Sequence, residues 1–111
     1  MTTFVLLMLD DDIWQTFSDE DQKMWIMKYR LWSKENDDRI IKADPINTAG
    51  QFLSVVDGEI VVEAKDYAGD PDHMTGYFIY QAEDWDDAVE FAKGCPTLQY
   101  GGRIELRMVG H

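Results

Sequence analysis

Phe4-Val5-Leu6-Leu7-Met8-Leu9 is apolar at every position and runs straight into Asp10-Asp11-Asp12. A strand with one wet face alternates apolar and polar residues, whereas an unbroken apolar run is covered on both faces. Gly76-Tyr77-Phe78-Ile79-Tyr80-Gln81-Ala82 reads the same way. Two such strands need a covering layer on each side of the sheet that contains them, and that requirement decides the fold.

The rest of the chain supplies little cover. Residues 18–37 read as the main helix: Ser18 is a suitable N-cap, Asp19, Glu20 and Asp21 complement the first turn, and Phe17 can staple it. Its apolar residues fall on two adjacent stripes, Met24/Met27/Leu31 and Trp25/Tyr29/Trp32. Together they sweep about 200°, wider than the ~100° a surface helix needs. Either the helix is packed deeply or one stripe meets a partner or ligand. Lys28 and Glu35 inside the arc can snorkel. Residues 84–93 read as a second helix, capped by Asp84, with Ala88, Val89, Phe91 and Ala92 inward and Gly94 and Pro96 ending it.

Residues 39–47 form a short strand that Pro45 ends or places at an edge. Val55-Val56-Asp57-Gly58-Glu59-Ile60-Val61 predicts a two-residue hairpin turn joining strands 51–56 and 59–64. Residues 65–75 read as a loop and 76–82 as a strand. Residues 103–109 close the order as an alternating strand, Ile104, Leu106 and Met108 one way and Arg103, Glu105 and Arg107 the other. The order β-α-β-β-β-β-α-β predicts an α+β fold with an antiparallel sheet, a ferredoxin-like split β-α-β unit carrying an extra hairpin, over residues 1–111 as one domain. Two helices cover one sheet face only. A second copy is the economical cover for the other, giving a homodimer with a small cavity between the sheet faces.

Composition excludes several function classes. Ten basic against 22 acidic residues give a net charge of −12. That excess opposes general affinity for nucleic acid or an anionic membrane surface. The longest apolar run falls far short of the ~20 residues of a membrane helix. Met1-Thr2-Thr3 carries no basic side chain of the kind that opens a secretory leader, so a cytoplasmic location is expected. Cys95 is the single cysteine, which rules out an internal disulfide and multi-cysteine metal sites. No glycine-rich phosphate loop or catalytic-serine motif is present, and no cofactor is expected.

The residues able to carry chemistry are few. His73 lies beside Asp70 and Asp72 on a Gly/Pro loop next to an apolar strand. A neighbouring carboxylate raises a histidine's basicity and holds its tautomer, as a general base requires; a solvated loop histidine is the commoner state. Asp66, Asp70, Asp72 and His73 match no calcium-loop spacing, so no metal is assigned. Asp10-Asp11-Asp12 reads as a solvated turn. Arg103 and Arg107 share one strand face and can hold a carboxylate, or pair across strands with the abundant acids. Tyr67 and Tyr77, with Tyr80, are candidate polar handles of a pocket, with ordinary packing as the alternative. Trp14, Trp25, Trp32 and Trp85 read as buried structural groups, and Cys95 as packing.

These features together resemble the YCII-related (YciI-like) superfamily, most of all its DGPF branch. The resemblance rests on the opening strand with its acidic end, the helix entered through Phe17-Ser18-Asp19-Glu20 and Phe52-Leu53-Ser54-Val55-Val56-Asp57-Gly58-Glu59. It rests also on Gly76-Tyr77-Phe78-Ile79-Tyr80, Trp85 to Pro96 with its Cys-Pro ending, and Gly102 to Arg107. The place of the branch's Asp-Gly-Pro-Phe motif holds Ala64-Lys65-Asp66-Tyr67 instead, which marks a diverged member. The resemblance implies a dimeric α+β barrel whose relatives include dechlorinating, isomerising and monooxygenase-type enzymes, some with a His–Asp pair in a cleft. The expected function is binding of a small organic molecule, with Tyr67, Tyr77, Arg103 and Arg107 as ligand contacts. The alternatives are a cofactor-free lyase, isomerase or oxygenase using His73 with Asp70, or a tyrosine, and a structural or regulatory dimer.

Overall fold

The computed structural model describes residues 1–10, 12–70 and 73–110. Its elements are β1 (Thr2–Leu9), α1 (Ile13–Thr16), α2 (Asp19–Glu35), β2 (Ile40–Pro45), β3 (Ala49–Val56), β4 (Glu59–Asp66), β5 (Met74–Ala82), α3 (Trp85–Ala92), α4 (Pro96–Gln99) and β6 (Arg103–Met108). The two-faced strands are the central ones, as their composition requires: the main sheet has the order β2-β5-β1-β6, every neighbour antiparallel. With the hairpin set aside, that is the ferredoxin-like order. Phe4 lies opposite Tyr80, Leu6 opposite Phe78, and Met8 opposite Gly76.

The core forms on the face carrying those residues. Tyr80 stacks on Phe91 of α3 at 4.1 Å between ring centroids, and its hydroxyl donates to the Ala88 carbonyl at 2.8 Å. Trp32 of α2 meets Phe78 and Phe91 at 5.0 and 4.9 Å. The caps act as the sequence predicts: the Ser18 hydroxyl accepts from the Asp21 N–H and the Asp84 carboxylate from the Asp87 N–H. Arg39 ties β2's entry to α3 through Asp87 at 2.8 Å.

Several expectations are corrected. Of α2's two stripes, Trp25, Tyr29 and Trp32 face inward, while Met24, Met27 and Leu31 stay exposed. Lys28 lies over the Trp25 ring at 4.4 Å. Val89 is exposed, because the face of α3 packed on β5 is the one carrying Ala88, Phe91 and Ala92. Trp85 is also exposed, though its edge meets Phe4. Pro96 does not only end a helix; it opens α4, where a fixed φ and a missing N–H cost nothing. The loop expected over 65–75 is shorter, because β4 runs to Asp66 and β5 starts at Met74.

Two apolar surfaces remain uncovered. Val5, Leu7, Leu9, Tyr77 and Ile79 form a half-buried stripe on the sheet face opposite the helices, edged by charged residues of β2 and β6. The hairpin β3–β4 is a separate two-stranded sheet. Its turn has positive φ at Asp57 and Gly58, the geometry that Asp-Gly favours. One hairpin face carries Leu53, Val55, Ile60 and Val62, with Val55 at 71% and Ile60 at 72% exposure. No helix among the described residues is long and apolar enough to cross a membrane.

Candidate functional site

A cavity of about 690 Å³ opens between α2 and the helix-covered face of the sheet. Met8, Ala43 and Phe78 come from the sheet, and Ile26, Tyr29, Arg30 and Ser33 from one face of α2. Asp10, His73 and Tyr100 complete the polar part of the wall. A mostly apolar recess with a few converging polar groups is the usual form of a small-molecule site.

His73 and Asp10 are both buried, at 8% and 3% exposure. Asp10 directly follows β1, and its carboxylate accepts from the N–H groups of Asp12 at 3.0 Å and Trp14 at 3.3 Å, which fixes the start of α1. Burial pushes the Asp10 carboxyl above the usual carboxylate range; the two N–H groups and the nearby His73 pull it back. His73 is placed by successive turns: Asp70 N–H donates to the Tyr67 carbonyl at 3.1 Å, and His73 N–H donates to the Asp70 carbonyl at 3.0 Å. Gly69 N–H is pinned to the Asp12 carboxylate at 3.0 Å. The Tyr67 ring stacks beside the imidazole, centroids 6.1 Å apart. A carboxylate near an imidazole stabilises the charge it gains on taking a proton.

A second polar cluster lies on the same cavity. The Tyr29 hydroxyl bonds to the Thr97 hydroxyl and, at 2.9 Å, to that of Tyr100. Burial pushes both phenols above their ordinary range. They remain neutral hydrogen-bonding groups wherever the protein is folded at ordinary pH.

The expected site residues divide between the two sides of the sheet. His73 lines the cavity, Tyr67 reaches it through its stack on His73, and Tyr77 borders it at the β2 edge while its side chain shares the opposite sheet face with Leu7. The Tyr77 hydroxyl is taken up by Asp44, to which it donates at 2.8 Å. The Asp70 carbonyl accepts the His73 N–H, and Asp10 is a second, buried carboxylate on the same cavity wall as His73. Arg103 and Arg107 pair in register with Leu9 and Val5, whose side chains face away from this cavity. Arg107 lies 3.9 Å from Glu105 of its own strand. Asp11 and Asp72, read above in an acidic turn and a loop, lie outside the described residues. Cys95 is buried, which pushes its thiol up, in line with a packing role.

Asp10 corrects the reading of a solvated turn, and strand parity contained the signal: Phe4, Leu6, Met8 and Asp10 share one face. Tyr29 and Arg30 carry no comparable signal until the inward face of α2 is fixed. The observed cavity lies on the helix side of the sheet, apart from the one expected between the sheet faces of two copies.

No curated protein matches the chain in sequence. Among solved structures it resembles 5-chloro-2-hydroxyhydroquinone dehydrochlorinase (TftG) from Burkholderia phenoliruptrix AC1100, in complex with 2,5-dihydroxybenzoquinone. The TM-score is 0.61 and the identity 17%, over 98% of this chain and 94% of that one. At that identity the likeness concerns the fold, and it agrees with the ferredoxin-like sheet order. A model of the YCII-related domain matches residues 27–109, well over half of the sequence. The chain belongs to the YCII-related family.

Proposed function

We propose that this protein binds a small organic molecule in the cavity between α2 and the sheet, with His73 and Asp10 as its polar centre. The observation that carries the reading is the burial of both groups on one otherwise apolar recess. Burying an ionisable pair costs free energy that a structural role here does not require, since apolar residues of similar size would fill the space. The TftG complex supports the choice of a small ring compound as a first probe. Titration of 2,5-dihydroxybenzoquinone should show saturable binding that weakens at least tenfold in His73→Ala and is blocked by Ser33→Trp, which fills the recess. Absence of binding to the unaltered protein, or binding indifferent to both substitutions, removes the reading.

A second reading is cofactor-free proton-transfer catalysis at the same place, as in a lyase or isomerase. It is favoured by Asp10 facing His73, because such a pair can take a proton from a bound substrate and return it. The Tyr29 and Tyr100 phenols would donate to an oxygen on which charge develops. His73→Ala should then abolish turnover while leaving the fold intact.

The active form we propose is a homodimer. A second copy covering the Val5, Leu7, Leu9 and Ile79 stripe would remove the sheet's wet apolar face. Leu7→Glu should convert it to a single-copy species in sedimentation. A wild-type protein that sediments as one copy at micromolar concentration would falsify the dimer and leave the cavity reading standing.

A further inference from the structure

We infer that the cavity selects ligands bearing a carboxylate or comparable anionic group, and that Arg30 is the residue that holds it. The inference rests on the cavity reading above and deepens it. It begins from the sequence of α2. Among the exposed cations, Lys42, Lys93 and Arg107 each have a carboxylate within 4.0 Å. Arg30 does not. Its helical neighbours three and four positions away are Ile26, Met27, Ser33 and Lys34, none of them acidic. Among the described residues no side chain pairs with its guanidinium. Ile26, Arg30 and Ser33 lie on one helix face, and all three line the cavity.

The carboxylates on the same cavity do not cancel this cation, because each is already supplied with donors. Asp10 accepts two backbone N–H groups and faces His73. Asp12 accepts the Gly69 N–H. Asp44 accepts the Tyr77 hydroxyl and has Lys42 at 3.7 Å. Arg30 is therefore the charged group of the wall with unused donors, a planar fork of N–H groups suited to a carboxylate. The same cavity wall carries the Tyr29 and Tyr100 hydroxyls, suited to a ligand hydroxyl or carbonyl. A ring compound carrying an anionic group and a separate hydroxyl or carbonyl oxygen has a partner for each on this wall.

The test uses 4-hydroxybenzoate and its neutral isostere 4-hydroxybenzamide, titrated calorimetrically into the full chain at low ionic strength. The carboxylate should bind about tenfold more tightly than the amide, as charge-assisted bonds exceed neutral ones. Added salt should narrow the gap, since Arg30 is exposed at the mouth. Arg30→Gln should lower carboxylate affinity to about that of the amide and so abolish the preference, and Arg30→Lys should restore part of it. Equal affinities in the wild type, or a preference that survives Arg30→Gln, overturn the assignment and leave the cavity reading intact. So does failure of the carboxylate to bind where 2,5-dihydroxybenzoquinone does. If none of the three compounds binds, the cavity reading falls as well.

Discussion

The main sheet and the hairpin arm are built from the same kinds of residue and meet opposite fates. β1 and β5 place Phe4, Leu6, Phe78 and Tyr80 under α2 and α3, where they are buried. β3 and β4 place Leu53, Val55, Ile60 and Val62 in the open. The difference lies in which element packs above each sheet, not in the strands. A two-stranded ribbon alone is marginal in water, so the arm depends on its Asp-Gly turn and on the anchor at its base, where Tyr67 N–H donates to the Thr48 carbonyl at 2.9 Å. Burial in this chain is a property of neighbours, and it decides which residues carry stability.

Substitutions should expose that contrast, the largest effects falling in the body. Phe4→Ala removes a fully buried ring and should lower unfolding free energy by about 3–5 kcal/mol in a urea titration. If the loss were under about 1 kcal/mol, the core would not lie where β1 and β5 place it. Gly76→Ala comes next. A Cβ there would stand 2.5 Å from Met8 Cε and 2.9 Å from the Asp44 carbonyl. The methionine can move but the carbonyl cannot easily, and about 1–3 kcal/mol should be lost.

At the arm's tip the constraint is of another kind. Gly58 has open space around it but φ of +80°. Gly58→Ala should cost about 1 kcal/mol through backbone strain alone. The smallest effect is expected on the arm's open face, where Leu53→Ser should change the stability of the isolated chain by no more than about 0.5 kcal/mol. A large loss there would show that the arm is covered in solution, and sedimentation of the same variant would tell whether a second copy covers it.

The pH dependence of stability also separates the two regions. Burial pushes the Tyr80 phenol up to about 12 from an ordinary 10.0. Its folded value lies above its unfolded one, so its contribution is complete below pH 10 and is lost as pH rises towards 12. Asp10 has the same sign at the acid end: its raised carboxyl favours the folded state at low pH and loses that contribution as pH rises through the folded value. The arm from Ala49 to Asp66 contains no tyrosine. Tyr80→Phe should therefore flatten the alkaline limb of a thermal-stability profile, and an unchanged limb would place its origin elsewhere.

Much of the body could be read from the chain. Unbroken apolar runs marked the central strands, Ser18 and Asp84 marked the two longer helices, and Asp57-Gly58 marked the turn. The site was less legible, for a physical reason. Its polar members come from the end of β1, the middle of α2, the loop before β5 and the residue after α4, so no local spacing announces them. His73 stood out as a lone histidine by an apolar strand. Asp10 did not, because it comes beside His73 only through the pairing of β1 with β5. The short helices α1 and α4 were missed because each is a single turn, held by Asp10 in one case and opened by Pro96 in the other.

Asp10 holds two offices at once: it fastens the chain's exit from β1 and it stands opposite His73. A residue with divided duties narrows the routes open to mutation. Any change that retunes the imidazole by altering this carboxylate also loosens the bend that carries Trp14. Adaptation of this protein to new ligands has freer ground at Tyr67, which touches the imidazole ring without anchoring that bend.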